Sequence, residues 1–328
     1  MVIGLGIEST AHTFGAAIVN DKGKILSNVN KTFTTEKGGM NPSDVAKHHR
    51  KYADEIILRA LSEAKIKEKN LDFITFSQGP GLPPSLVVGK EKAKELASKL
   101  QIPLVGSNHI CAHLEIGKLL TKTKDPVFVF VSGANTQIIA YESERYRIFG
   151  ETLDVGMGNA LDKFGRDINL GFPAGPKIEE LAKKGKYIEL PYIVKGMDLS
   201  FSGIVTYAIQ SHKKGIGKED LCYSLQETCF SMLTEVAERA LAHCNKKEVL
   251  LIGGVAANKR LCEMLDKMCK QRKAKFYSAP LKHCGDHAAM IAWQGMLQFK
   301  SDKNFLDLDE IDILPKWRID EVEVSWIK

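Results

Sequence analysis

The sequence has no stretch near the roughly 20 uninterrupted apolar residues that span a bilayer, so no membrane-crossing helix is expected. It has no C-x-x-C pair, and its seven cysteines are an odd number. That excludes a complete disulfide framework and fits a reducing compartment. Cys222 and Cys229 sit seven apart, as do Cys262 and Cys269. On helices that spacing puts both members on one face, where they serve as small buried hydrophobes. The start, Met1-Val-Ile-Gly-Leu-Gly, lacks the basic region and small-residue cleavage site of a signal peptide. A cytoplasmic protein is expected, with the nucleus a further compartment in a eukaryote. Low-complexity segments are absent. So are G-x-x-x-x-G-K-[ST] and G-x-G-x-x-G, which removes a P-loop and a dinucleotide fingerprint.

What is present is an α/β pattern. Strands are expected at Val2–Glu8, Thr13–Asn20 and Lys24–Phe33, then a helix from about Pro42 to Ala64. A strand at Leu71–Ser77, a helix at Leu86–Leu100 and a short strand at Pro103–Val105 follow. After "KTKDP" (Lys122 to Pro126) the order restarts, with three strands at Val127–Ser132, Gln137–Tyr141 and Arg145–Glu151 and a helix at Asn159–Asn169. A long irregular and helical stretch leads to the strand Glu248–Ile252, the helix Lys259–Gln271, the strand Lys275–Tyr277 and the helix Ala288–Phe299. The reading is two α/β halves of like order, residues 1–125 and 126–300, with a tail over 301–328. The net charge is +6, and lysines cluster at Lys90, Lys92, Lys94 and Lys99 and again, with Arg272, at Lys267, Lys270, Lys273 and Lys275. Each cluster fits a solvated helix face or a nucleic-acid contact.

Four glycine-bearing loops stand at element ends: "SQGPGLPPS", "VSGANTQ", "FPAGP" and "GGVAAN". Glycine lets backbone N–H groups approach an anion, and "GGVAAN" follows a strand and opens a helix, so Asn258 or the amides before it suit a phosphate or ribose. Glu151, Asp154 and Asp162 lie among these loops, suited either to ribose hydroxyls or to helix N-termini. In "SNHICAH", His109 and His113 are four apart, one above the other on a helix, and so are able to grip one ion. No glutamate stands between them, as a zincin requires for its base, which argues against that protease chemistry. "KHCGDHAAM" offers His283, Cys284, Asp286 and His287 as sources of a third ligand. A His-His-Asp set leaves positions open for substrate oxygens.

"GIESTAHTFGAAIV", "GPGLPPSLVVG", "NHICAH", "VSGANTQ", "GETLD…GNALDKFGR", "FPAGP", "MDLSFSGI", "GGVAANKRL" and "CGDHAAMIAWQG" occur in this order. In that respect the chain resembles the Kae1/TsaD/OSGEP family of tRNA N6-adenosine threonylcarbamoyltransferases, from Ile3 to the C-terminal "WRIDEVEVSW". "STAHT" and the tail resemble its archaeal and eukaryotic cytoplasmic branch. The resemblance implies the actin/Hsp70/sugar-kinase fold (ASKHA): two ribonuclease-H-like lobes with a nucleotide and metal cleft between them. It implies transfer of threonylcarbamoyl from threonylcarbamoyl-AMP to N6 of adenosine 37 in tRNAs reading ANN codons, as the catalytic subunit of a KEOPS-type complex. His109, His113 and Asp286 match the family's ligands for one divalent iron or zinc ion. Phe130, Val131, Ser132, Gly133, Ala134 and Asn135 match its nucleotide-phosphate loop, and Asp162, Gly175, Glu179 and Asn258 its other nucleotide contacts. The ligand implied is ATP, ADP or threonylcarbamoyl-AMP, with or without Mg. The implied partners are tRNA, a Bud32-like kinase, Pcc1-like and Cgi121-like subunits and a Sua5-like synthase upstream.

The chain departs from the family pattern at several points. Phe130 replaces a tyrosine able to reach the metal. Ala134 and Ala174 replace glycines, so each is expected to add a methyl where backbone meets nucleotide. His287 replaces an asparagine and is expected to cap a helix rather than supply a fourth ligand. Pro83 and Pro84 are expected to stiffen a loop. The alternative reading is a nucleotide-binding scaffold with weakened chemistry.

Overall fold

The computed structural model describes residues 1–34, 41–301 and 305–327. It divides into two compact units, one of Met1–Leu119 with Asp286–Lys328 and the other of Leu120–Gly285. Of the expected tail, residues 302–304 and 328 lie outside the described residues.

In the first unit β1 (Ile3–Glu8), β2 (Thr13–Asn20) and β3 (Ile25–Thr32) form an antiparallel meander. The strands β4 (Phe73–Gly79) and β5 (Leu104–Asn108) then add in parallel beside β1, giving the order β3-β2-β1-β4-β5. α1 (Pro42–Ala64) and α2 (Pro83–Leu100) cover one face of the sheet, where Leu5, Ile7, Ile74 and Phe76 meet Ile56, Ile57 and Val88. The opposite face carries α9 (Ala288–Ser301), packed through Ala289, Ala292 and Met296 onto Ala17, Val19 and Phe73. β1 alternates poorly in hydrophobicity because both faces are covered. Its second face is glycine: a Cβ on Gly6 would stand 2.4 Å from the backbone nitrogen of Ala292, so only hydrogen lets α9 lie this close.

Two expectations are corrected here. α9 belongs to the first unit and not to a lobe running from 126 to 300, because its apolar face is buried on β1, β2 and β4. Pro83 and Pro84 do not stiffen a loop. They form the first turn of α2, which starts three residues earlier than expected. Proline suits that turn, where its missing N–H has no helical partner to lose. The described part of the tail packs on the first unit: Leu306, Leu308 and Ile311 join its core, and the Trp326 indole donates to Glu115 at 2.8 Å.

The second unit repeats the topology. β6 (Val127–Val131), β7 (Thr136–Glu142) and β8 (Arg145–Glu151) form the meander, and β11 (Glu248–Ile252) and β12 (Lys275–Ser278) add in parallel. The order β8-β7-β6-β11-β12 is that of the first sheet. The long stretch between β8 and β11 holds α4 (Met157–Asp167), α5 (Gly175–Ala182), a ribbon of β9 (Val194–Lys195) and β10 (Asp198–Leu199), α6 (Ser202–Lys213) and α7 (Lys218–His243); α8 (Lys259–Gln271) joins β11 to β12. Cys222, Cys229 and Cys269 are buried and all seven cysteines are unpaired, so burial pushes the thiols of those three up to about 12. No helix among the described residues is long and apolar enough to cross a membrane.

His49 on α1 is fully buried, and its Nε2–H donates to the Ala11 carbonyl at 2.8 Å. Burial pushes its pKa down from 6.5 to about 4, against the smaller opposing pull of that carbonyl. The folded state therefore prefers the neutral ring. The associated stability is complete above pH 6.5 and is lost as pH falls from 6.5 to 4, by up to ~3 kcal/mol. Denaturant melts at pH 7 and pH 4.5 are expected to show that drop in the wild type. In His49→Gln, which keeps a donor and cannot titrate, the drop shrinks. An equal drop in both proteins counts against His49 as its source.

Candidate metal centre and nucleotide pocket

β1, β4 and β5 run parallel and end at one edge of the first sheet. α3 (His109–Thr121) starts where β5 stops. Asn108 makes that junction: its Oδ1 accepts from the amides of Ile110 and Cys111, both at 3.0 Å, satisfying two donors of the first turn. One turn of helix then places the rings of His109 and His113 with centroids 4.8 Å apart. Asp286, just ahead of α9, reaches His109 Nε2 at 3.4 Å and His113 Nε2 at 3.3 Å through the same oxygen. One ligand atom from each of the three residues lies within 4.8 Å of the others. That donor set, two imidazoles and one carboxylate, fits a divalent cation with coordination positions left open. His287 is buried beside Asp286 in sequence but is not part of this cluster. Its carbonyl accepts from the Met290 amide at the start of α9.

The cluster has a further member that sequence reasoning missed. Glu8, the last residue of β1, is fully buried, and its Oε2 lies 3.1 Å from His109 Nδ1. The Thr10 amide donates to its other oxygen at 2.7 Å, and the Thr10 hydroxyl also hydrogen-bonds to it. A carboxylate ending a strand otherwise buried and apolar was the available signal. Burial disfavours a charged His109, but the charges of Glu8 and Asp286 outweigh it and hold the pKa up to about 10. His113 goes the other way, lowered by burial and by His109 despite its bond to Asp286. Asp286 is held well below the usual carboxylate range because the two histidines overcome its own desolvation. A cation entering here takes the place of the His109 proton.

In the second unit a cavity of about 260 Å³ is lined by Gly133, Asp162, Gly175, Glu179 and Asn258. These five are among the ten residues singled out from the sequence. Phe130 and Val131 are buried in β6, paired with Gln137 and Thr136 of β7. Ser132 closes the loop on itself: its hydroxyl accepts from the Asn135 amide at 3.0 Å. The amides of Gly158 and Asn159 donate to the carbonyls of Ser132 and Gly133, so the first turn of α4 anchors this loop. A Cβ on Gly175 or Gly254 would meet nothing within 4 Å, so the backbone there faces open space at the start of α5 and before α8. Gly254, Val255 and Leu161 also line the cavity. The first two belong to the glycine loop already noted, whereas Leu161 carried no sign of its role.

Several polar groups expected to meet ligand hold structure. Asp162 Oδ1 accepts from the Ala174 amide at 2.7 Å, and Glu179 from the Lys259 amide at 2.9 Å. The Asn258 oxygen caps α8 through the Leu261 amide at 3.1 Å, while its amide donates to Gln226 at 3.1 Å. Asp154 caps α6, accepting from Ser200, Phe201 and Ser202. Those donors, with Val155, outweigh partial burial and hold its carboxyl far below the usual range.

The methyl of Ala174 does not narrow the cavity as expected. It is fully buried and occupies the space over Gly165 on α4, where an added Cβ would fall 2.1 Å away. Ala174→Gly is therefore expected to leave ATP affinity within about twofold and to lower stability by about 1–2 kcal/mol. Calorimetric titration and a thermal melt check both. A clear gain in ATP affinity would return the methyl to the ligand side.

The first lysine cluster is largely neutralised: Lys90 pairs with Asp312, Lys92 with Asp54 and Glu95, Lys94 with Asp309 and Lys99 with Glu68. In the second, Lys270 pairs with Asp266 and Arg272 with Glu238.

Residues 24–293 match the family described as TsaD, tRNA N6-adenosine threonylcarbamoyltransferase. A protein of Thermococcus sibiricus named tRNA N6-adenosine threonylcarbamoyltransferase is 54% identical over 327 residues, covering 99% of this chain and all of that one. A Methanocaldococcus jannaschii protein named as a probable bifunctional tRNA threonylcarbamoyladenosine biosynthesis protein is 51% identical over 329 residues. The chain spans 61% of that relative's length. Among solved structures, full-length HypF in its phosphate- and nucleotide-bound form superposes with a TM-score of 0.65 at 12% identity, over 92% of this chain and 47% of that one. Component A of the Acidaminococcus fermentans (R)-2-hydroxyglutaryl-CoA dehydratase gives 0.56 at 15%, over 91% and 99%. At such identities these likenesses speak to fold alone, a mixed α/β fold with two five-stranded sheets.

Proposed function

This chain belongs to the TsaD family of tRNA N6-adenosine threonylcarbamoyltransferases, and on that premise we propose that it moves the threonylcarbamoyl group of threonylcarbamoyl-AMP onto N6 of adenosine 37 in tRNAs reading ANN codons. In the step, the adenine N6 forms a bond to the carbamoyl carbon and loses a proton. The bond from that carbon to the phosphate oxygen breaks, and AMP leaves with the electron pair. The adenine amine is the nucleophile, so no side-chain nucleophile is required. The observation that carries the reading is the convergence of His109, His113 and Asp286. A divalent iron or zinc ion bound there supplies a Lewis acid for the carbonyl or phosphate oxygen. Glu8 orients the His109 ring through Nδ1. In the second unit, the backbone at Gly133 in the turn between β6 and β7, at Gly175 at the start of α5 and at Gly254 ahead of α8 offers N–H groups to a nucleotide phosphate.

On this reading the chain works in the cytoplasm as the catalytic subunit of a KEOPS-type complex, beside Bud32-like, Pcc1-like and Cgi121-like subunits and supplied by a Sua5-like synthase. The test is a reconstituted transfer assay with an ANN-decoding tRNA, the synthase and those subunits. Threonylcarbamoylated tRNA is the expected product. A complete set that gives none, while the chain still binds ATP, would replace the transferase by a nucleotide-binding scaffold.

A further inference from the structure

A second surface of the first unit adjoins the metal centre through one short loop. Residues 9–12 of that loop leave β1 at Glu8, and the Thr10 hydroxyl lies 3.2 Å from His109 Nδ1. Its other end is held from two sides. The Phe33 amide donates to the His12 carbonyl at 2.7 Å, and the His49 ring donates to the Ala11 carbonyl. The end of β3 and the first turns of α1 are thereby fixed beside the centre.

These two elements carry an aromatic and basic surface. The His48 ring sits 5.7 Å from Phe33 and 4.8 Å from Tyr52, centroid to centroid. The ammonium groups of Lys31 and Lys51 stand 4.8 Å and 5.1 Å from the Tyr52 ring centre. Both lysines are exposed, and Phe33, His48 and Tyr52 are half-buried. Among the described residues no carboxylate pairs with either lysine, in contrast to Lys90, Lys92, Lys94 and Lys99. The charge of both lysines is felt by His48, whose pKa is lowered by burial and then by Lys31 and Lys51. Flat rings flanked by exposed ammonium groups are what an unstacked RNA strand needs: faces for bases and charges for the phosphates between them.

We infer that Lys31, Lys51 and the rings of Phe33, His48 and Tyr52 form a docking surface for the single-stranded RNA flanking the target adenosine. The inference rests on the transferase reading. An adenosine can reach the His109–His113–Asp286 cluster only if its neighbours in the loop lie on the protein next to that cluster, and this surface is one loop away. The lysines take backbone phosphates, so they contribute affinity and position without reading sequence.

Tyr52 also packs against the core, so the test uses the two exposed lysines. Binding of an ANN-decoding tRNA is measured between about 50 and 200 mM salt for the wild type and for Lys31→Glu/Lys51→Glu, each with the partner subunits. Lys273→Glu/Lys275→Glu is the charge-matched control. The expected result is a rise in Kd of roughly tenfold or more for the first variant, with a salt dependence shallower by about one to two counterions. The KM for tRNA rises with it, while metal content, ATP affinity and melting stay as in the wild type. An unchanged Kd and salt slope would assign the lysines to something other than RNA, such as an acidic protein surface, and overturn the inference. An equal loss in the control would also overturn it, because net charge and not this surface would then be responsible. Failure of the wild type itself to bind or modify tRNA would instead sink the transferase reading.

Discussion

Asp286→Asn is expected to lower threonylcarbamoyl transfer by on the order of 10³-fold and to strip the bound metal, with the fold intact. Asp286 supplies the carboxylate of the His-His-Asp set and faces both histidines through one oxygen. Asparagine keeps the size of the side chain and removes the charge. A cation at this site gives several kcal/mol of charge stabilisation, and each 1.4 kcal/mol is about tenfold in rate. Removing the charge therefore removes most of the acceleration rather than tuning it. Metal content by elemental analysis, ATP affinity and a thermal melt accompany the assay. The cavity proposed for the nucleotide is built from residues of the second unit, so ATP binding should survive and attest to folding. Full transfer by an Asp286→Asn protein that retains no metal would remove the metal centre from the chemistry. His109→Ala is expected to behave in the same way.

Glu8→Ala is expected to weaken metal binding by about 10–100-fold, the usual effect of removing a carboxylate that orients a ligating histidine. Glu8 touches the cluster only through His109 Nδ1, while Nε2 faces Asp286. Its loss frees the ring to turn and removes the partner that favours proton on Nδ1 and lone pair on Nε2. Glu8→Gln keeps an oxygen acceptor at the same place and should fall between wild type and alanine. The readout is competition with a chelator of known affinity, which needs no substrate. Equal metal affinity in all three proteins would reduce Glu8 to a structural anchor for Thr10. A melt separates that case from simple unfolding, since a buried carboxylate is being removed from a strand end.

Features set by neighbours in the chain were legible in the sequence. The i, i+4 spacing of His109 and His113 needs only a helix, and the meander-helix-strand order of each half follows from periodicity. β1 to β8, α1, α8 and α9 lie close to where the pattern of apolar residues puts them. The glycine loops were identifiable as turns at element ends, where glycine commonly sits. The resemblance to the transferase family likewise came from ordered local motifs.

Other features depended on residues far apart in the chain. Glu8 and His109 are 101 positions apart, and their contact exists because β1 and β5 end at one edge of a parallel sheet. That Asp286 lies against the two histidines goes with the packing of α9 over Gly6 of β1, which also places that helix in the first unit. Which partners hold a polar side chain was likewise set in three dimensions. Asp154 caps a helix some 48 residues away, Asn258 caps α8, and the lysines near 90 meet carboxylates from α1 and the tail. A sequence states which groups can donate, accept or carry charge. Their roles follow only when folding fixes which partners lie within about 3 Å, because hydrogen bonds weaken sharply beyond that distance.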